Sequence, residues 1–236
     1  MKAAIVTGAS SGIGLEISRM LTERGIHVYG IGRMFPAEVV QDSTLFTPLV
    51  CELTDVQQVR ETVEKIRKQD EISLLVNNAG VGYFGLHEEL NPQKIHEMVT
   101  VNLEVPMVLT QMLLRDLKRC GGAVVNISSV TAKQTNPHGC AYGATKTALS
   151  SFSASLFAEA RKYGVRVASV HPDMTATQFY RNADFKQSDD EDCRLDPKEV
   201  AQAVVWILEQ RNGIAVTDIV LQPQKHRIER KGEKHD

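Results

Sequence analysis

Seven short apolar runs alternate with longer helical patterns along the chain, and this alternation constrains the fold more than any other feature of the sequence. Most of the runs are continuously apolar, which is typical of strands buried on both faces of a parallel sheet. The order predicts a doubly wound α/β fold with right-handed crossovers and helices on both faces of the sheet. The expected strands lie at 3–8, 27–32, 45–53, 74–80, 123–129, 166–172 and 215–223. The expected helices lie near 12–25, 55–69, 91–119, 140–163 and 197–211.

We expect one domain over residues 1–236, because this length suits a single α/β core and no repeat or low-complexity linker divides the chain. Two segments depart from the alternation. Residues 174–195 form a long connection with little periodicity, and such loops are often functional, so we expect a substrate lid there. Residues 225–236 are highly charged, which predicts a solvated tail.

Composition argues against several classes of function. The formal net charge is -2 and the basic residues are scattered, so no nucleic-acid partner is expected. The four cysteines show no C-x-x-C spacing, which predicts neither a metal site nor a redox dithiol and suits a reducing compartment. No apolar run reaches the ~18 residues of a membrane span, and the start lacks a secretory pattern. We therefore expect a cytoplasmic protein without a membrane partner.

A glycine-rich turn, "VTGASSGIG", joins the first expected strand to the first expected helix. Glycine allows a close backbone approach that a Cβ would forbid, and the free N–H groups and dipole of a helix start favour an anion. A plain tight turn would also carry glycines, but the position between strand and helix favours a pyrophosphate site. The expected phosphate-binding residues are Gly8, Ser10, Ser11, Gly12, Ile13 and Gly14.

A second polar constellation follows the fifth expected strand. Tyr142 and Lys146 are four residues apart on a helical pattern and so share a face. A cation about 4–6 Å away lowers the pKa of a Tyr from about 10, which would make Tyr142 a better acid–base group. Ser129 lies at the carboxyl end of the strand, where ligands bind in open α/β sheets, and could polarise a carbonyl oxygen. Taken singly, each of these side chains is more often structural.

Four motifs in this order resemble the short-chain dehydrogenase/reductase family: T-G-x-x-x-G-x-G at 7–14, "NNAG" at 77–80, "NISS" at 126–129 and Y-x-x-x-K at 142–146. The resemblance extends over about the whole chain. It implies a seven-stranded Rossmann-like sheet, an NAD(H) or NADP(H) cofactor, a small carbonyl or alcohol substrate, and a homodimer or homotetramer.

The resemblance also implies residue roles. Ser129, Tyr142, Lys146 and Asn102 match the catalytic set, in which the Asn supports a water relay toward the Lys and the Lys also binds the nicotinamide ribose. The other cofactor-binding positions implied are Glu52 and Leu53 at the adenine, Asn78, Ala79 and Gly80 along the adenosine ribose, and Pro172, Thr175 and Thr177 near the nicotinamide. Two positions depart from the family pattern, since Glu52 replaces an Asp and Asp173 replaces a Gly.

The second expected strand ends in Gly32 followed by Arg33, where NAD-specific folds usually carry an acid for the ribose 2′-hydroxyl. A guanidinium can pair with a 2′-phosphate, so we expect NADP(H) rather than NAD(H). Ser11 stands where some NADP-preferring relatives carry a second basic residue, and an NAD(H)-preferring enzyme stays open as an alternative.

The sequence thus predicts an NADP(H)-dependent oxidoreductase that interconverts a carbonyl and an alcohol. A catalytically silent sensor or scaffold that binds the same cofactor is one alternative, and a different Rossmann-like enzyme such as a methyltransferase is another. An apolar substrate pocket is expected from residues that follow strand ends or flank Tyr142. These residues are Tyr83, Phe84, His138, Cys140, Met174, Phe179 and Tyr180.

Overall fold

Seven parallel strands form the central sheet in a computed structural model that describes residues 2–40 and 44–231. The strands in chain order are β1 (Ala3–Thr7), β2 (His27–Gly32), β3 (Phe46–Val50), β4 (Ile72–Asn77), β5 (Ala123–Ile127), β6 (Arg166–Pro172), β7 (Phe185–Gln187), β8 (Asp218–Leu221) and β9 (Ile228–Arg230). The order across the sheet is β3-β2-β1-β4-β5-β6-β8, and every pair is parallel. The direction of winding reverses between β1 and β4, which is where such sheets bind ligands.

Helices cover both faces of this sheet, so the predicted fold class is confirmed. Successive side chains of β1 show the two layers, because Ala4 belongs to one apolar cluster and Ile5 to the other. The helices are α1 (Gly12–Thr22), α2 (Ala37–Val40), α3 (Val56–Arg67), α4 (Pro92–Val99), α5 (Val105–Cys120), α6 (Cys140–Ala160) and α7 (Pro197–Glu209). Helices α1 and α7 contribute to the first cluster, and α3, α5 and α6 to the second.

The expected helix at 91–119 is divided by one wide turn. Between α4 and α5, residues Thr100–Glu104 form a π-helical turn, and the backbone N–H of Val105 donates to the carbonyl of Thr100. Single π turns inside helices are frequent at functional sites. The turn contains Asn102, whose amide interrupts the apolar stripe of this helix.

Helix starts follow the sequence closely where a cap is present. Asp196 caps α7 with Pro197 at its first position, and Glu199 completes a capping box. The side chains of Asp55 and Asn91 cap α3 and α4 in the same way, each accepting from a backbone N–H in the first turn.

The predicted lid and tail pair with each other, which the sequence did not indicate. Strand β9 pairs antiparallel with β7, so the backbone of 228–230 joins the lid rather than remaining a solvated tail. The side chains of 225–231 nevertheless stay largely exposed, which explains their charged composition. The last part of the predicted tail, 232–236, lies outside the described residues.

The lid itself consists of short turns and one short strand. The 3₁₀ turns Gln178–Asn182 and Glu191–Cys193 flank β7. Thr175 and Leu195 form a parallel bridge that closes the base of this segment. Within the described ranges, no helix is long and apolar enough to cross a membrane.

Candidate active site

A cavity of about 520 Å³ opens at the carboxyl ends of the parallel strands. Every catalytic and cofactor-binding residue expected from the sequence lines this cavity except Gly14 and Asn102. The glycine turn after β1 lies in the same space as Tyr142 and Lys146 on α6. A volume of this size is within the range of small-molecule and cofactor sites.

The glycine turn has a shape that only glycine tolerates well. Gly8 and Gly12 have φ angles of 66° and 55°, in the left-handed region. A Cβ on Gly12 would come within 3.0 Å of Thr177 Cγ2, across the cavity. Ser11 precedes α1 in extended conformation, and its side chain does not cap the helix. The backbone N–H groups of the first turn of α1 therefore remain free of this side chain at the mouth of the cavity. The turn therefore fits a pyrophosphate group.

Gly14 does not line the cavity, and its expected part in phosphate binding stays a prediction. A Cβ at this position would overlap the carbonyl oxygen of Gly8 and the side chain of Asn78. Gly14 therefore allows close packing of α1 against the strand ends instead of lining the cavity.

The end of β4 is tied to the end of β1 by Asn78 and Thr7. The Asn78 Nδ2 donates to the carbonyl of Thr7 at 2.9 Å, and the backbone N–H of Asn78 donates to Thr7 Oγ1 at 3.0 Å. The N–H of Ala79 donates to the same hydroxyl at 3.0 Å. These bonds place 78–80 beside the glycine turn, and the expected contact of 78–80 with the adenosine ribose stays a prediction.

Arg33 and Glu52 follow β2 and β3 at the far end of the cavity. The Arg33 side chain is exposed and lines the cavity. The Glu52 carboxylate accepts hydrogen bonds from the Thr54 N–H at 3.1 Å and the Thr54 hydroxyl at 3.0 Å. These bonds hold the Glu52 carboxylate against its own loop. An adenine amino group that bound Glu52 would donate to a carboxylate that already accepts from Thr54.

The Ser–Tyr–Lys set lies where β5 and α6 meet. Ser129 begins the 3₁₀ turn Val130–Ala132 after β5, and its Oγ accepts from the N–H of Thr131 at 3.2 Å. Tyr142 and Lys146 are 6% and 3% exposed. The Lys146 Nζ donates to the carbonyl of Ile127 at 2.8 Å and lies 5.8 Å from the centroid of the Tyr142 ring.

Burial is the main cause of the pKa shifts of Tyr142 and Lys146. The pKa of Tyr142 is raised by burial, while a hydrogen bond from Ser129 lowers it by less. Burial also lowers the pKa of Lys146 to about 8. In the folded chain by itself, burial is the largest cause and moves the pKa of Tyr142 upward, opposite to the direction expected from a neighbouring cation. The phenol keeps its proton, as a proton donor must.

Asn102 is fully buried and clamps the loop after β4. Its Oδ1 accepts from the N–H of Val81 at 2.9 Å, and its Nδ2 donates to the carbonyl of Val81 at 2.9 Å and to Thr145 Oγ1 at 3.1 Å. The side chain thus connects the π-helical turn, the Val81 loop and α6. This geometry gives the Asn102 side chain a positioning role, and the place in a water relay that the resemblance implied stays a prediction.

An aromatic cluster covers the Tyr142 side of the cavity. The rings of Phe84 and Phe179 lie 5.4 Å and 5.6 Å from the Tyr142 ring, centroid to centroid. Tyr180 and Phe185 extend the cluster, with their centroids 5.4 Å apart. Except for Tyr142, these side chains come from the loop after β4 and from the lid, so the lid supplies most of the apolar surface.

The expected substrate pocket is only partly present. Of its seven predicted residues, only Phe179 and Tyr180 line the cavity among the described residues. Tyr83 instead donates to Glu97 Oε2 at 2.6 Å. Sequence reasoning missed Glu97 and Val101, which reach the cavity from α4 and the π-helical turn, and Arg181, which reaches it from the lid. No local pattern marks them, because each depends on packing between distant segments.

Comparison with known proteins agrees with the motifs and the fold. The short chain dehydrogenase family model matches residues 2–188. An uncharacterized oxidoreductase of Staphylococcus saprophyticus is 30% identical over 231 residues, covering 94% of this chain and 97% of that protein. A probable NADP-dependent dehydrogenase of Haemophilus influenzae is 27% identical over 234 residues, covering 93% and 92%. The chain belongs to the short chain dehydrogenase family and is an oxidoreductase of that family.

Solved structures show the same architecture. An alcohol dehydrogenase from the archaeon Thermococcus sibiricus, complexed with 5-hydroxy-NADP, superposes with a TM-score of 0.86 at 27% identity, covering 96% of this chain and 99% of that one. A metagenomic short-chain oxidoreductase in complex with NADP gives a TM-score of 0.79 at 26% identity, covering 94% and 97%. The seven-stranded Rossmann-like sheet implied by the motifs is confirmed.

Proposed function

We propose that this protein is an NADP(H)-dependent oxidoreductase that interconverts a carbonyl and an alcohol. One observation carries the proposal: a single cavity joins the uncapped glycine turn to the hydroxyl groups of Ser129 and Tyr142. A phosphate-binding turn and an acid–base pair in one cavity are what a nicotinamide-dependent reaction needs.

Each side chain of the set has a role that its position supports. Tyr142 donates a proton to the carbonyl oxygen of the substrate during reduction and takes it back during alcohol oxidation. Ser129 donates a hydrogen bond to the same oxygen and polarises it. Lys146, anchored on Ile127, holds a positive charge beside the Tyr142 ring. It would also hold the nicotinamide ribose of the bound cofactor. The bound nicotinamide supplies the hydride that no protein side chain can provide.

The preference for NADP(H) rests on Arg33. Its exposed guanidinium lines the far end of the cavity, next to Gly32 where NAD-specific folds place an acid. The cavity-lining Arg181 adds a second cation from the lid. The Haemophilus influenzae relative, named as a probable NADP-dependent dehydrogenase, points the same way. An NAD(H)-preferring enzyme is the alternative.

The aromatic cluster supports a small substrate with an apolar group beside its carbonyl carbon. Phe179 and Tyr180 belong to 174–195, so closure of this lid over the substrate would exclude water from the reaction. By family resemblance, we also propose a homodimer or homotetramer that works in the cytoplasm.

The near-complete burial of Tyr142 under Phe84 and Phe179 favours one second candidate, a protein that binds the cofactor without turning anything over. In that case the phenol would be a packing residue. The two candidates differ in turnover and agree in cofactor binding.

The deciding experiment follows the fluorescence of NADPH and of NADH with a panel of ketones and aldehydes. We expect oxidation of NADPH by at least one ketone or aldehyde with an apolar substituent, and loss of that activity in Tyr142→Phe. Tight cofactor binding without turnover across the panel would favour the silent protein. Failure to bind either nucleotide would refute both candidates.

A further inference from the structure

His171 is a buried polar residue that the sequence did not assign to the site, although it stands beside Pro172, which lines the cavity. It lies near the carboxyl end of β6 and is fully buried. Its Nδ1 is 3.2 Å from the carbonyl oxygen of Ser129, and its Nε2 is 2.5 Å from Asp218 Oδ1. The ring therefore links the residue expected to polarise the substrate to strand β8.

Both partners of the imidazole are acceptors. A backbone carbonyl cannot donate, so the contact with Ser129 requires a proton on Nδ1. The Asp218 oxygen that faces Nε2 also pairs with Lys133 Nζ at 2.9 Å. Lys133 stands four residues after Ser129, so the turn from Ser129 to Lys133 is attached at both ends to the His171–Asp218 pair.

The Ser129 carbonyl is held from two sides. It accepts from the backbone N–H of Ala132 at 3.0 Å within the 3₁₀ turn and from the His171 ring on the other side. Fixing this peptide group fixes the backbone from which the Ser129 hydroxyl projects toward the Tyr142 side of the cavity. The turn has only two 3₁₀ backbone bonds, from Ala132 to Ser129 and from Lys133 to Val130, so it is short and gains from outside support.

We propose that His171 is a positioning residue, which holds Ser129 in place through the hydrogen bond from Nδ1 to its carbonyl while Asp218 orients the ring. This inference rests on the proposed function, because Ser129 matters for turnover only if the protein reduces a carbonyl or oxidises an alcohol. The alternative is that the ring only fills space between β6 and β8.

The charge of the ring need not be known to test the contact. Burial lowers the pKa of His171, whereas its hydrogen bonds to Asp218 and Ser129 raise it. Amide side chains do not titrate. The amide nitrogen of an Asn can occupy the place of Nδ1, and that of a Gln can occupy the place of Nε2. His171→Asn therefore keeps the donor to Ser129, and His171→Gln keeps the donor to Asp218.

The experiment compares these two variants with the wild-type chain by amide hydrogen exchange and by steady-state kinetics. We expect the Ala132 amide of His171→Asn to exchange within about threefold of wild type, and that of His171→Gln to exchange at least about tenfold faster, since one supporting bond is lost. With a carbonyl substrate, kcat should fall about tenfold or more in His171→Gln and little in His171→Asn, while the Kd for NADPH stays the same in both.

Equal exchange rates at Ala132 in the two variants would overturn the proposal, because a space-filling ring gives no reason for a difference. If either variant fails to fold, Asp218→Asn replaces it. Asp218 is 46% exposed, so its amide variant should fold, and it removes the carboxylate that orients the ring. Accelerated exchange at Ala132 supports the proposal there, and unchanged exchange contradicts it. Absence of wild-type turnover would instead contradict the proposed function, and the exchange measurement still decides the role of His171.

Discussion

The ammonium nitrogen of Lys146 lies 5.8 Å from the ring centroid of Tyr142, and both side chains are almost completely buried. One helical turn of α6 separates them. Burial disfavours the charged form of each group, so the pKa of the phenol is raised and that of the amine is lowered. At neutral pH the phenol is uncharged in the folded and the unfolded chain, so the cost to the fold comes from the buried Lys146 ammonium; such costs are common for groups kept in place by function.

Replacement of Tyr142 by Phe should separate proton transfer from packing. The ring and its contacts with Phe84 and Phe179 remain, but the hydroxyl that moves the proton is lost. We expect kcat to fall at least about a hundredfold, because general acid–base catalysis is worth that much. The Kd for NADPH should change little. Turnover within a few-fold of wild type would refute the acid–base role.

The matched control is Tyr163→Phe. Tyr163 is 47% exposed and is not among the cavity-lining residues that the structure describes. This variant loses the same hydroxyl group from the surface. Its turnover should equal that of the wild type.

Replacement of Lys146 by Met should abolish activity and stabilise the fold. The folded-state pKa of Lys146 is about 8, against an ordinary 10.5, so at neutral pH the fold is destabilised by a buried ammonium. Since one pKa unit corresponds to about 1.4 kcal/mol, and the hydrogen bond to Ile127 is lost, we expect a net gain of roughly 1–3 kcal/mol in the free energy of unfolding. Chemical denaturation at pH 7 measures it.

The same variant gives a pH dependence of defined sign. Below pH 8 both folded and unfolded chains hold the Lys146 proton, and the burial cost is complete. Between pH 8 and 10.5 the unfolded chain binds more protons, so wild-type stability rises relative to the variant. The advantage of Lys146→Met should therefore shrink as pH rises through this window. An exposed control, Lys68→Met, should show no such trend; a constant advantage would contradict the lowered pKa.

Replacement of Arg33 by Gln should change the choice of cofactor. A charge-assisted bond to a phosphate is worth about 1.5–3 kcal/mol, so the Kd for NADPH should rise roughly tenfold to a hundredfold. The Kd for NADH should stay within about twofold, because NADH has no 2′-phosphate to lose. Fluorescence titration measures both, with Arg60→Gln on α3 as a surface control. An equal loss for both nucleotides would disprove the 2′-phosphate contact.

Replacement of Asn102 by Ala should destabilise the protein. It leaves the N–H and carbonyl of Val81 without their buried partner. Buried unsatisfied groups cost about 1–3 kcal/mol each, so a loss of roughly 2–4 kcal/mol is expected in denaturant unfolding. The exposed Asn212→Ala is the control and should be neutral. If Asn102→Ala kept wild-type stability and lost only turnover, a direct catalytic role would replace the positioning role.

Replacement of Lys231 by Met should loosen the lid. The Lys231 Nζ donates to the carbonyls of Tyr180, Arg181 and Ala183 at 2.8, 3.0 and 2.8 Å. Loss of these bonds should speed limited proteolysis within 178–190 by about threefold to tenfold, since local opening controls cleavage. Lys198→Met at the start of α7 is the control.

Saturating NADPH and substrate should slow cleavage in the wild type if the lid closes over them; unchanged cleavage would argue against a lid.

The sequence alone predicted the central sheet, because each of its strands is a local apolar run. The starts of the capped helices could be recognised from their own first residues. The sequence also predicted the glycine turn and the spacing of Tyr142 and Lys146, since both lie within one turn or one helix. The positions of these groups in a single cavity follow from the doubly wound order, which places all carboxyl strand ends on one edge.

Only the tertiary structure decided the burial, the pKa shifts and the long-range hydrogen bonds of those groups. The direction of the pKa shift of Tyr142 depends on how completely Phe84 and Phe179 exclude water from the phenol. Neither ring is near Tyr142 in sequence. The clamp of Asn102 on Val81, the contact of His171 with Ser129 and the pairing of β9 with β7 join segments 21 to more than 40 residues apart. Local sequence specifies strands, turns and helix faces because their forces act between neighbours, whereas burial and long-range hydrogen bonds exist only after the chain has packed.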